Sequence, residues 1–138
     1  MTRVVVDASI AVSWCFDDEA SAATEAILDQ VRLEGAIVPG LWHLELANVL
    51  LQAERMGRPI PEGISARLEY FSRLPISTDA ETASRAWRDT LSLARTEQLT
   101  TYDASYLELA ARHGLPLATK DEALLNAAKR IGVAVLPG

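Results

Sequence analysis

The chain has 138 residues, 49% of them hydrophobic and 23% charged, with a formal net charge of −6 and a single cysteine. This length and apolar content match one ordinary globular domain with a sizeable core, residues 1–138, and exclude a disordered chain. The negative balance excludes indiscriminate nucleic-acid binding, leaving only a local basic patch for such a role, and lone Cys15 in apolar surroundings reads as a reduced thiol of a cytoplasmic protein.

The first residues carry Arg3 and the run Val4-Val5-Val6, cut by Asp7, too short for a secretory core or a bilayer span; no other segment reads as export or membrane. The valine run is β-branched and wholly apolar, which predicts a strand covered on both faces. A helix is expected from Ala8 to Phe16 and a second from about Glu19 to Leu33, ended by Gly35 in the position a left-handed cap prefers. Ala36-Ile37-Val38 gives the next strand, Pro39-Gly40 the punctuation, and Leu41 to about Arg55 a third helix. Pro61 opens another through Tyr70 and Phe71, Leu74 to Ser77 makes a short strand, and a long helix follows from about Ala80 to Arg95. Thr100 to His113 is helical, with Gly114 behind it and Pro116 beyond. Leu117-Ala118-Thr119 is a strand, Glu122 to Ile131 a helix, and Val133 to Leu136 the last strand. Short apolar strands alternating with helices predict an α/β fold with a mainly parallel, twisted sheet of about five short strands between two helix layers.

Right-handed crossovers bring the carboxyl ends of such strands to one edge, where doubly wound folds bind ligands. Asp7 directly follows the first strand, Asp121 follows a later strand with one residue between, and Asp103 lies in the first turn of a helix leaving the same edge. Each admits a plain reading as a helix cap: Asp7 for its own helix, Asp103 in a box with Thr100, and Asp121 beside a box of Thr119 and Glu122. Glu45 differs, because it interrupts the apolar run from Leu41 to Leu51; Asn48, Gln52 and Arg55 continue it as one polar stripe. That stripe is either the solvent face of a buried helix or the lining of a cleft. Gathered carboxylates would repel one another unless a cation neutralised them, and an all-oxygen set suits Mg²⁺ or Mn²⁺ rather than zinc. His43, His113 and Cys15 have unsuitable spacings for zinc.

Seven arginines, Arg55, Arg58, Arg67, Arg73, Arg85, Arg88 and Arg95, crowd the middle of the chain. Solvated helix faces paired with Glu54, Glu69, Glu81 and Asp89 account for them more simply than a phosphate-binding surface does.

Four segments together resemble a PIN domain: Val4 to Ser9, Leu41 to Leu50, Leu99 to Ala110 and Leu117 to Asp121. More narrowly they are similar to the VapC toxins of type II toxin–antitoxin modules. The resemblance implies a three-layer α/β/α PIN-like domain and a Mg²⁺- or Mn²⁺-dependent endoribonuclease acting on an RNA substrate. It also implies a homodimer, or a hetero-oligomer with a cognate VapB-type antitoxin that holds the enzyme inactive. Its acidic catalytic and metal-binding positions fall on Asp7, Glu45, Asp103 and Asp121, with Ser9 as the supporting hydroxyl. Asp7 and Asp103 are expected as direct ligands, Glu45 and Asp121 as water-mediated ones, and Lys120 has no role beyond attracting phosphate.

Rival readings stay open at this point. A receiver-like phosphoacceptor would use Asp79 after its strand, although adjacent acids beside Asp7 are missing, and a dehalogenase-type phosphatase would need an aspartate where Ser9 stands. A non-catalytic partner-binding domain would have only capping acids, with Trp14, Trp42 and Trp87 in packing or an interface.

Overall fold

The computed structural model describes residues 2–138. The valine run forms strand β1 (Val4–Val6), with every side chain fully buried, as a strand covered on both faces requires. It is the middle of an all-parallel sheet of five strands, completed by β2 (Ala36–Val38), β3 (Ile76–Thr78), β4 (Leu117–Thr119) and β5 (Val135–Pro137). Their order is β3-β2-β1-β4-β5. Val5 sits in register with Ile37 on one side and Leu117 on the other. The chain therefore leaves β1 toward β2 and returns later to β4, and the crevice between the carboxyl ends of β1 and β4 is where the winding reverses.

Helices α1 (Ala8–Ser13), α2 (Ala22–Glu34), α3 (Trp42–Arg55), α4 (Gly63–Ser72), α5 (Thr82–Arg85), α6 (Leu91–Glu97), α7 (Thr101–His113) and α8 (Glu122–Arg130) connect the strands. The first is shorter than Ala8 to Phe16: it closes at Ser13, Trp14 turns its indole N–H onto the Thr24 carbonyl at 2.9 Å, and a 3₁₀ turn over Asp17–Glu19 follows. The second begins at Ala22 rather than Glu19 because Ser21 and Thr24 form a capping box. Gly35 does hold a positive φ of 86°, yet its ψ of 171° is not that of a left-handed helical cap; a side chain there would press on the Pro75 carbonyl, 3.1 Å away. The expected long helix from Ala80 to Arg95 forms as one uninterrupted helical run from Thr82 to Glu97, in which a π-turn over Ala86–Thr90 joins α5 to α6 with helical dihedrals at Ala86, Thr90 and Leu91. Strands β3 and β5 start two residues later than expected.

The core joins the valines of β1, Ile37, Leu117 and Ala118 to Ile10, Leu46, Leu50, Tyr106, Leu107, Leu109 and Leu124 from the helices. Trp14 and Trp42 belong to it, whereas Trp87 is 87% exposed on the π-turn. Among the described residues no helix is long and apolar enough to cross a membrane.

Candidate functional site

Asp7 stands where β1 gives way to α1, and its extended backbone (φ −80°, ψ 171°) makes it the N-cap. Its Oδ1 accepts the Ile10 N–H at 3.2 Å and the Ser9 hydroxyl at 2.6 Å, while Oδ2 accepts the Thr119 hydroxyl at 2.5 Å. Both hydroxyls are themselves loaded from the β4–α8 loop: Ser9 Oγ accepts the Lys120 N–H at 3.0 Å and Thr119 Oγ1 the Asp121 N–H at 2.9 Å. Each hydroxyl, having accepted a backbone proton, directs its own proton to Asp7. Asp7 is thus held in one orientation from both sides of the switch-point crevice. Only 5% of it is exposed, and burial, reinforced by the charge of Asp103, pushes its carboxyl up to about 6 against the lowering effect of these hydrogen bonds.

Asp103 lies in the first turn of α7, its N–H capped by Thr100 Oγ1 at 3.1 Å. Its carboxyl is raised from the ordinary range by burial and by the neighbouring Asp121 charge, with Thr100 acting the other way. Glu45, one turn into α3, is half-buried; burial raises its carboxyl, Tyr106 opposes that, and Asp103 adds to it. Asp103 is therefore the hub whose charge is felt by or from each of the other acids. Asp121 is exposed and is itself the N-cap of α8, accepting the Leu124 N–H at 2.8 Å. The box expected of Thr119 and Glu122 is absent, because the Thr119 hydroxyl is committed to Asp7.

No lysine, arginine or histidine forms a salt bridge with Asp7, Glu45, Asp103 or Asp121 among the described residues. Lys120 instead approaches Glu19 at 3.8 Å. Nor are three His, Cys, Asp or Glu side chains among the described residues grouped tightly enough to enclose an ion unaided. The acids form an electrostatically coupled series rather than a closed cage. That arrangement fits a hard cation which keeps part of its water shell and takes only one or two carboxylates directly, as Mg²⁺ does. Asp7 Oδ2 accepts a single hydrogen bond, leaving a lone pair free. Zinc has no matching donors, for Cys15 is buried with its thiol pushed up to about 11 by burial, and His43 is exposed with its ring edge-on to Trp42.

Two residues belong to this site that the sequence reading passed over or assigned elsewhere. Thr119 had been placed in a cap, and its position at the carboxyl end of β4, facing Asp7 across the crevice, is a property of strand register. Tyr106 donates its hydroxyl to Glu45 Oε1 at 2.5 Å, and burial followed by the Glu45 carboxylate raises the phenol so that it stays protonated. The signal for it was the i, i+3 spacing from Asp103, which puts both on one face of α7. The Glu45 stripe resolves into a half-buried start at the crevice and an exposed continuation through Asn48, Gln52 and Arg55.

Asp79, the alternative phosphoacceptor, is tied elsewhere. Arg112 donates to its Oδ2 at 2.7 Å and its Oδ1 at 3.2 Å, and also pairs with Glu108 and Glu81. Arg85 extends the network to Glu81 and Asp89. Burial alone would raise the Asp79 carboxyl, but Arg112, the Glu81 N–H and Thr82 outweigh it and hold it below the ordinary range. Of the other central arginines, Arg73 pairs with Glu69 as expected, whereas Arg58 pairs with Asp18 and Glu19, and Arg67 with Glu62.

A family model described as "PIN domain" matches residues 4–130. No curated protein matches the chain in sequence. Among solved structures, it is similar to PAE2754 from Pyrobaculum aerophilum at 26% identity, covering 98% of this chain and 90% of that one with a TM-score of 0.70. FitAcB from Neisseria gonorrhoeae is 20% identical, with 96% of each chain covered and a TM-score of 0.57. VapBC2 from Rickettsia felis, solved bound to a DNA fragment from their promoter, is 13% identical over 99% of each chain with a TM-score of 0.67. The last two likenesses concern the fold.

Proposed function

The chain belongs to the PIN-domain family, and from that premise we propose that it is a divalent-metal-dependent endoribonuclease, the toxin of a VapBC-type toxin–antitoxin module, formed as a single domain over residues 1–138. PIN domains are generally nucleases. One observation carries the reading to this chain: buried Asp7, linked through the charge of Asp103 to Glu45 and Asp121, has no salt bridge to a basic side chain among the described residues, nor have the other three. Capping accounts for where Asp7 and Asp121 stand but not for leaving that charge uncompensated.

In this reading Asp7 and Asp103 would hold Mg²⁺ or Mn²⁺, with Glu45 and Asp121 reaching it through water. A bound ion would supply Lewis acidity at the phosphoryl oxygens and a more acidic water. The residues supply the rest. Ser9 and Thr119 fix the Asp7 carboxylate before substrate arrives, so no reorganisation is needed at the moment of reaction. Glu45, with its carboxyl raised and one oxygen anchored by Tyr106, orients the attacking water and takes up its proton. In-line attack on phosphorus leaves a 5′-phosphate and a 3′-hydroxyl. A net charge of −6 suits recognition of a particular RNA structure over general RNA affinity.

Partners follow from the exposed apolar side chains of the second to fourth helices and their flank. Leu33 (80% exposed), Leu44 (74%) and Met56 (82%) give surface for a second copy of the chain and for a VapB-type antitoxin. The proteins FitAcB and VapBC2, the latter with promoter DNA, support such assemblies by analogy of fold. A cytoplasmic site of action goes with this function.

The test is incubation of the purified protein with structured RNAs in Mg²⁺ or Mn²⁺ and in chelator, beside folded Asp7→Asn and Asp103→Asn. Cleavage is expected only with metal and to fall at least about 10²-fold in each variant. Equal cutting by wild type and variants would refute the assignment. Capture of a small DNA-binding protein encoded beside the gene would support the antitoxin.

A further inference from the structure

We propose that Tyr106 is a positioning residue whose hydroxyl sets the Glu45 carboxylate in a fixed relation to Asp103, so that the two acids face one divalent cation together. The inference rests on the metal-dependent reading above. Tyr106 is 1% exposed in the core, yet its hydroxyl meets Glu45, a residue 61 positions away on another helix, at 2.5 Å. It stands one turn after Asp103 on α7, so the same rigid helix that carries Asp103 also carries the group that holds Glu45. The helix thereby acts as a ruler between two acids that come from distant parts of the chain.

Glu45 needs such a ruler. It has three rotatable bonds and reaches the crevice from α3, and the Tyr106 hydroxyl is its one side-chain hydrogen bond among the described residues. Without the Tyr106 hydroxyl no other side chain among the described residues would hold the Glu45 carboxylate in place. The hydroxyl engages Oε1 only, which leaves Oε2 for a water or an ion. A phenylalanine would fill the same space in the core, so the hydroxyl itself is what the site uses.

Calorimetric titration of Mn²⁺ into wild type, Tyr106→Phe, Glu45→Gln and the double variant tests this. Tyr106→Phe is expected to weaken Mn²⁺ binding by about 10-fold, and to have no further effect once Glu45→Gln is present. Glu45→Asp, which keeps the charge but shortens the reach to Tyr106, is expected to show a similar loss while melting like wild type in chelator, and so guards against misfolding of Tyr106→Phe. Equal Mn²⁺ affinity in wild type, Tyr106→Phe and Glu45→Asp would overturn the assignment, as would a full loss from Tyr106→Phe on the Glu45→Gln background. Failure of wild type itself to bind Mn²⁺ would overturn the metal-dependent reading, a result distinct from wild type and Tyr106→Phe binding alike.

Discussion

Two groups of acids follow strand ends in this molecule, and they have opposite electrostatic fates. At β3, buried Asp79 meets Arg112, which also satisfies Glu108, and the Asp79 carboxyl is held low. At β1, Asp7, more deeply buried, meets hydroxyls and a backbone N–H but no cation among the described residues, and its carboxyl is pushed up to about 6, chiefly by burial. The same residue type at the same kind of position is therefore structural in one place and left poised in the other. Position after a strand does not separate the two acids; charge compensation does, and it is the uncompensated one that makes a candidate site.

The sharpest way to break this contrast is to remove the compensation at β3. Arg112→Met takes the cation from buried Asp79, which keeps only the Glu81 N–H and Thr82, and leaves Glu108 with Arg85 at 3.9 Å; denaturant titration should show a loss of about 3 kcal/mol. At β1 the sign reverses. With the folded pKa of Asp7 above its unfolded value, the folded state holds the proton more tightly; metal-free stability then falls as pH rises from about 4 to about 6 and stays low above that. The shift corresponds to a destabilisation on the order of 2–3 kcal/mol at neutral pH. Asp7→Asn in chelator at pH 7 should accordingly be at least as stable as wild type, and the pH dependence between 4 and 6 should flatten. Asp79 contributes the other way: its stabilisation is present above the unfolded carboxylate value and is lost as pH falls through its lowered folded value. Urea titrations at several pH values on Asp7→Asn and Asp79→Asn separate the two slopes.

A smaller effect sharpens the picture within the site. Thr119→Val keeps the β-branched shape of β4 but deletes the hydroxyl that bridges Asp121 N–H to Asp7 Oδ2. The expected cost is about 1–2 kcal/mol, with Thr119→Ser restoring most of it. A Thr119→Val protein as stable as wild type would mean that the bridge does not hold Asp7.

Much of this fold was readable from residue patterns because the cues are local. The Val4-Val5-Val6 run, the Thr100 and Gly114 boundaries of α7 and the punctuation at Pro39-Gly40 each act within a few residues, and the elements form there. The π-turn at Ala86–Thr90 was not readable, since no glycine or proline marks it. Strand order put Asp7 and Asp121 at the crevice and brought Asp103 toward it, whereas the polar stripe left Glu45 between solvent face and cleft lining. What links them was not readable: Thr119 to Asp7 spans 112 positions and Tyr106 to Glu45 spans 61, and such contacts are set by sheet register and helix packing. Whether an acid would find an arginine was equally hidden, as Arg58, in the loop after α3, shows by pairing with distant Asp18 and Glu19 rather than with nearby Glu54.

Calorimetric titration of Mn²⁺ into wild type and Asp103→Asn tests the central claim most directly, because Asp103 is the charge that couples to the other acids of the crevice. The account predicts saturable binding to wild type, weakened at least about 10-fold in the folded variant. Identical titrations for the two proteins, or none for wild type, would contradict it.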